Sequence, residues 1–310
     1  MADTIEILLP TYNGEKFLSE QIDSLLNQTY KNWHLIIRDD ISNDGTMSLV
    51  NEYKQKYPDN ISILDNQFIK KGIVGSFESL IEASSAQYIA FCDQDDVWLP
   101  NKLQLQIEKI VKLEELYGCS MPILVHTDLI VVDDELNLLS ESFWQYQHLA
   151  PDKMCSLQRQ LVQNCVTGCT VLVNRPLLEL ALPIPKGVIM HDWWLALIAV
   201  SEGVLCELDA ATVKYRQHDN NDTGAKHWGV HFIIKAIRQS RHLQIQSLMK
   251  TRTQAEALLS VNILNDENRE IVERYISMYS GNWFARRIEM FRMGFFKYGL
   301  LRNIAMFLRI

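Results

Sequence analysis

Short apolar runs alternate with longer helical patterns through the first 125 residues, and this alternation narrows the available folds more than any other feature. IEILLP (5–10) has the β-rich make-up of a buried strand, EKFLSEQIDSLLNQT (15–29) the apolar spacing of a helix, and WHLIIRD (33–39) again reads as a strand. The series continues with a helix from Thr46 to Tyr57, the run ISILD, a helix near Phe77 to Ser84, the run YIAFCD, a long helix in NKLQLQIEKIVKLEELYG and the strand-like ILVHTDLIVVD. Such alternation builds βαβ units, so the expected fold class is α/β: a Rossmann-like, mostly parallel sheet flanked by helices. Ligands of these sheets gather at the carboxyl ends of the strands, where distant segments meet in one crevice.

The polar motifs obey that rule. PTYNGE follows the first strand, DDISNDGT the second, and DQDDVW follows YIAFC. Within DDISNDGT, Asn43, Asp44 and Gly45 suit a tight turn and Thr46 can cap the next helix. Asp39 and Asp40 serve no packing purpose at a strand end, but such a carboxylate can accept hydrogen bonds from a ribose hydroxyl or a pyrimidine N–H. PTYNGE lacks the glycines of a dinucleotide fingerprint and no GxxxxGK[ST] occurs, so phosphates need another neutralising partner. In DQDD, Asp93, Asp95 and Asp96 are costly to bury unless solvated or matched by a cation, and their hard oxygens suit Mg²⁺ or Mn²⁺.

Composition bounds the rest. A chain of 310 residues, 47% hydrophobic and 22% charged, can bury a substantial core, and its formal charge of −8 argues against general nucleic-acid binding. The average hides an asymmetry: residues 1–225 carry 16 Lys and Arg against 32 Asp and Glu, whereas 226–310 carry 14 against 6. Six scattered cysteines without a CxxC pair fit reduced thiols. With no signal-peptide pattern and no bilayer-spanning run, a cytoplasmic protein is expected, touching a membrane only peripherally, at the cytoplasmic face of the inner membrane. The last 28 residues hold 18 apolar side chains, six Lys or Arg and one acid; they read as a membrane-interfacial segment or as a terminal helix packed on protein, within the chain or in a homodimer.

Between about 150 and 225 the pattern is irregular. HDWW (191–194) opens the apolar helix WWLALIAV, which places His191 and Asp192 in its first turn, where a carboxylate commonly caps. In NCVTGCT (164–170), Gly168 permits either close backbone approach or a plain turn. Lys70 and Lys71 read as solvated.

PTYNGEKFL, DDISNDGT and DQDDVWLPNKL, in that order and at those intervals, resemble the nucleotide-sugar-binding half of a family 2 glycosyltransferase of the GT-A fold; FCDQDDVW, HDWWLAL and YRQHDNN are most similar to its bacterial rhamnosyltransferase-like subgroup. The resemblance spans roughly residues 3–225 and implies a catalytic domain over 1–225, with a nucleotide-sugar half (1–125) and an acceptor half (126–225), followed by a basic helical region over 226–310. It implies that Thr11, Tyr12 and Asp40 hold base and ribose. It also implies that Asp93 and Asp95 form the DxD pair, with Asp95 and Asp93 on Mn²⁺ or Mg²⁺ and His218 completing the metal site. Asp96, Gly168 and His191 would shape the sugar and acceptor pocket, Trp98 would pack the strand-to-helix turn, and Asp192 matches the general base of inverting members. The implied partners are a donor, dTDP-rhamnose or a UDP-sugar, and a saccharide or lipid-linked acceptor. HDNND departs from the subgroup's HGNN pattern by adding Asp219 and Asp222. A sugar-phosphate nucleotidyltransferase would share sheet and metal but needs a glycine-rich basic loop; a DxD phosphatase matches DQDDV only loosely; a non-catalytic interaction protein is the remaining alternative.

Overall fold

In the computed structural model, residues 4–65, 69–218 and 241–309 are described. Asp219 and Asp222 lie outside the described residues. The first four strands, β1 (Ile5–Thr11), β2 (Trp33–Asp39), β3 (Ile61–Ile63) and β4 (Tyr88–Phe91), pair in parallel in the order β3-β2-β1-β4. Their registers set Thr11 opposite Asp39, so the polar motifs that follow both strands leave the sheet side by side.

The second half mixes directions. β8 (Leu172–Asn174) lies antiparallel between β4 and β6 (Ile123–Val132), β9 (Val204–Arg216) runs parallel to β6, the two-residue β5 (Val97–Trp98) pairs antiparallel with β9, and β7 (Leu138–Ser140) edges β6. The expected parallel pairing therefore runs through β1–β4 and recurs between β6 and β9. The short strands β5, β7 and β8 are the antiparallel ones, and β8 splices the two parallel parts into one sheet.

β1 shows how strand periodicity builds two cores. Ile5, Ile7 and Leu9 face one layer with α1 (Leu18–Leu26), α2 (Thr46–Lys56) and α4 (Lys102–Tyr117), while Leu8 faces the other. That second layer holds α3 (Gly72–Ala83), α6 (Leu157–Val162), α7 (Arg175–Ala181) and α8 (His191–Glu202), α5 (Phe143–Tyr146) being a single short turn. α3 starts five residues ahead of the expected Phe77, because Gly72 takes a positive φ of 68° and Asp40 engages the amides of Lys71 and Gly72.

The C-terminal helices α9 (Arg241–Ser260), α10 (Asp266–Met278), α11 (Trp283–Met293) and α12 (Leu300–Arg309) do not form a separate body. Ala255, Leu258, Val272, Tyr275 and Met290 join the same buried cluster as Phe77 and Trp194. Among the described residues, no helix is long and apolar enough to cross a membrane.

Candidate active site

The loops after β1 and β2 are laced together by short polar side chains. Thr11 Oγ1 donates to Asp39 Oδ1 (2.9 Å), the Asn13 amide to Ser42 Oγ (2.9 Å), the Gly14 amide to Thr46 Oγ1 (2.8 Å), and the Gly45 amide to Glu15 Oε2 (2.9 Å). Ile41 is held at φ 67°, a costly conformation for a β-branched residue, between Asp40 and Ser42, whose polar contacts enforce it. Asp40 is buried: it accepts from Arg38 Nη1 (2.8 Å) and the Lys71 amide (2.8 Å) at Oδ1 and from the Gly72 amide (2.9 Å) at Oδ2. Burial raises its pKa, but the guanidinium and the two amides outweigh that and hold the carboxyl below its ordinary range. Asp40 thus anchors the entry to α3 beside the carboxyl ends of β1 and β2.

Tyr12 is exposed, and Lys70 Nζ lies 3.8 Å from its ring centroid, while Lys71 Nζ donates to Ser79 Oγ (2.6 Å). Both lysines are exposed, as expected, and each keeps one contact at the loop's edge. Gln94, inside DQDD, joins the two motifs directly: its Oε1 accepts the Tyr12 amide (2.8 Å) and its Nε2 donates to the Tyr12 carbonyl (3.0 Å).

The acidic cluster is partly open. Asp93 and Asp95 are half-buried, and Asp95 Oδ2 lies 2.8 Å from His218 Nε2, so two of the expected metal ligands from opposite ends of the domain do meet. Asp96 is wholly buried. Its Oδ1 accepts the Arg216 amide (3.1 Å), and Oδ2 has no hydrogen-bond partner among the described residues. Burial, then repulsion from Asp95 and Asp93, pushes the Asp96 pKa well up. Ligand atoms of Asp93, Asp96 and Cys169 lie within 4.8 Å of one another. Burial likewise raises Cys169, leaving a protonated thiol and not a hard ligand. Crowded carboxylate oxygens, one of them buried without an N–H or O–H donor among the described residues, fit a divalent cation.

Arg216, which sequence reading passed over, fixes this cluster. Its Nε donates to the Asp95 carbonyl (2.8 Å), Nη1 to the Asp134 carbonyl (2.5 Å) and Nη2 to Glu20 Oε2 (2.5 Å), with the guanidinium 4.4 Å from the Phe17 ring centroid. The available signal was an arginine closing the strand-like VKYR two residues before His218.

The N-cap of α8 is Met190, so Asp192 is not the cap that its place in HDWW suggested; it lies within the first turn, accepting the Trp193 amide (2.6 Å). Burial drives its pKa up to about 6 against the opposing pull of the amides of Trp193 and Gly168 and of the Asn164 side chain. Gly168 permits this packing, since a Cβ there would lie 2.9 Å from His191 Nε2 and 3.8 Å from the Asp192 Cβ. His191 and Asp96, expected to shape the sugar and acceptor pocket, are both buried: His191 stacks on Phe77 at 3.8 Å between centroids, with neither ring nitrogen partnered among the described residues, and Asp96 lies behind the half-buried Asp93 and Asp95. Trp98 is buried in the strand-to-helix turn, as expected.

Comparison with known proteins brings these loops together with others of the same kind. Residues 6–179 match the family model for Glycosyl transferase family 2. The chain is 32% identical over 178 residues to UDP-Glc:alpha-D-GlcNAc-diphosphoundecaprenol beta-1,3-glucosyltransferase WfgD of Escherichia coli, covering 56% of this chain and 62% of that protein. It is 26% identical over 232 residues to dTDP-rhamnosyl transferase RfbG of Shigella flexneri, covering 70% and 74%. Among solved structures, S. aureus TarS 1-349 in complex with UDP-GlcNAc has a TM-score of 0.59 at 16% identity, covering 93% of this chain and 75% of that one. Mannosyltransferase PcManGT from Pyrobaculum calidifontis, in complex with GDP-Man and Mn2+, scores 0.54 at 15% identity over 94% and 79%. At these identities the two structures speak for the fold.

Proposed function

Since this chain belongs to glycosyl transferase family 2 and carries the GT-A fold, we propose that it transfers a sugar, rhamnose or a hexose, from a nucleoside-diphosphate donor to a hydroxyl of a saccharide or lipid-linked saccharide during synthesis of a bacterial surface polysaccharide. WfgD and RfbG support UDP-sugar and dTDP-rhamnose as the donors to consider. The observation that carries the proposal is the contact of Asp95 with His218 beside the crowded Asp93, Asp96 and Cys169, with Asp192 packed against Gly168, the residue next to Cys169.

In this reading Thr11, Tyr12 and Asp40 frame the nucleoside, Gln94 fixes the nucleoside loop relative to the acidic loop, and Lys70 flanks Tyr12. Asp93 and Asp95 with His218 would hold Mn²⁺ or Mg²⁺, which when bound supplies positive charge to the departing diphosphate. Asp192 accepts the proton of the acceptor hydroxyl as that oxygen attacks the anomeric carbon from the face opposite the leaving group, inverting the centre. Its raised pKa keeps it basic enough to take a proton near neutrality while still ionised there.

Calorimetry of the protein against UDP and dTDP, each with and without Mn²⁺, tests the donor half. Binding of one nucleotide that strengthens with the metal and is lost in Asp95→Asn is expected. Failure to bind either nucleotide under any of these conditions would overturn the proposal.

A further inference from the structure

The basic tail is not used by the proposed chemistry, and its folded form is unusual. α11 and α12 each bury one side: Met290 and Met306 enter the main core, and Phe295 between the helices is fully covered. Their outer sides are apolar. Phe284, Ile288 and Phe291 recur at helical spacing on α11, and Leu300, Ile304 and Leu308 on α12, and these six are 45–75% exposed. The two stripes belong to one surface, because Arg287 lies 3.6 Å from the Trp283 ring centroid while donating to the Phe307 carbonyl (2.5 Å), and the Phe291 and Phe307 rings are 5.9 Å apart. An apolar surface of this extent on a folded chain marks a docking site.

Charge selects the occupant. The segment 283–310 carries six Lys or Arg and one acid, Glu289, which is already engaged by Arg274 (3.0 Å); Arg287 is buried and Arg286 and Arg302 hold backbone carbonyls, while Arg292 stands exposed beside Phe291. In a two-fold dimer through this surface the net positive segments of both copies would share one interface, with the segment's one acid already engaged by Arg274. An anionic lipid headgroup layer complements them, and helices of 11 and 10 residues are too short to span a bilayer but suited to lie in its interface. We propose that the paired outer faces of α11 and α12 dock the protein flat on an anionic membrane surface.

The attachment is stiff. The Tyr298 amide donates to Gln163 Oε1 (2.9 Å), and Arg302 donates to the carbonyls of Gln147 (2.5 Å) and His148 (2.6 Å), tying the surface to the acceptor half. Docking would therefore orient the whole domain.

Sedimentation of the full chain with vesicles of phosphatidylcholine, alone or mixed with phosphatidylglycerol, tests this. Expected are pelleting with the mixed vesicles, weakening with added salt, and a drop of about tenfold or more in Phe284→Glu/Ile288→Glu/Leu308→Glu. Arg292→Glu, a single exposed change that spares the core, should lower binding to the mixed vesicles several-fold even if the triple variant folds poorly. No pelleting, equal pelleting on both vesicle types, unchanged binding in Arg292→Glu, or light scattering that shows a dimer abolished by these substitutions would each overturn the proposal. Nucleotide calorimetry on the same samples keeps the outcome separate from the donor chemistry, which the proposal does not require.

Discussion

At the residue scale, environment decides what each carboxylate can do. Asp40 is held low by Arg38 and two amides, Asp96 is driven high by burial among like charges, and Asp192 settles at about 6. Ionised Asp192 is the proposed base, so kcat/KM should rise with pH, gain tenfold per unit below pH 6 and level off above it. Asp192→Asn should remove that limb and lower kcat by roughly 10²–10⁴-fold with nucleotide affinity unchanged, as read from initial rates and calorimetry. A variant with normal turnover would remove Asp192 from the mechanism. The acids themselves were legible because DQDD and HDWW put charge beside apolar runs. Gln94 and Arg216 were not, because their partners lie 82 and 120 residues away and become neighbours only once the sheet has formed.

At the element scale, long periodic segments were readable and short paired ones were not. α4 and β2 follow their apolar patterns, whereas β5 and β8, of two and three residues, owe their strand character to the neighbours they pair with. Gly203 is a similar case. It joins α8 to β9, and a Cβ there would fall 2.0 Å from the Pro122 carbonyl oxygen, the atom that accepts the Val204 amide (2.8 Å). Gly203→Ala must push backbone against backbone and should cost about 1–3 kcal/mol, visible as a lowered midpoint in thermal denaturation followed by circular dichroism. An unchanged midpoint would mean that β6 and β9 can part there without penalty.

At the scale of the whole molecule, charge and packing draw different boundaries. The basic region beginning at 226 stands out in sequence, yet its helices complete the core that also holds Phe77 and Trp194. The full chain should then unfold in one transition, with coincident midpoints by circular dichroism and intrinsic fluorescence, and a chain ended at residue 225 should lose solubility or cooperativity. Two resolved transitions would mark 226–310 as an independent unit. The site's geometry draws on this integration. α8 leaves the site from Asp192, the chain reverses at Gly203, and β9 returns to deliver Arg216 and His218. These are the two arms of a calliper: the gap between the proposed base and the acidic loop is set at a pivot remote from both, and a change at the pivot would alter the reach of the jaws while leaving every reacting group in place.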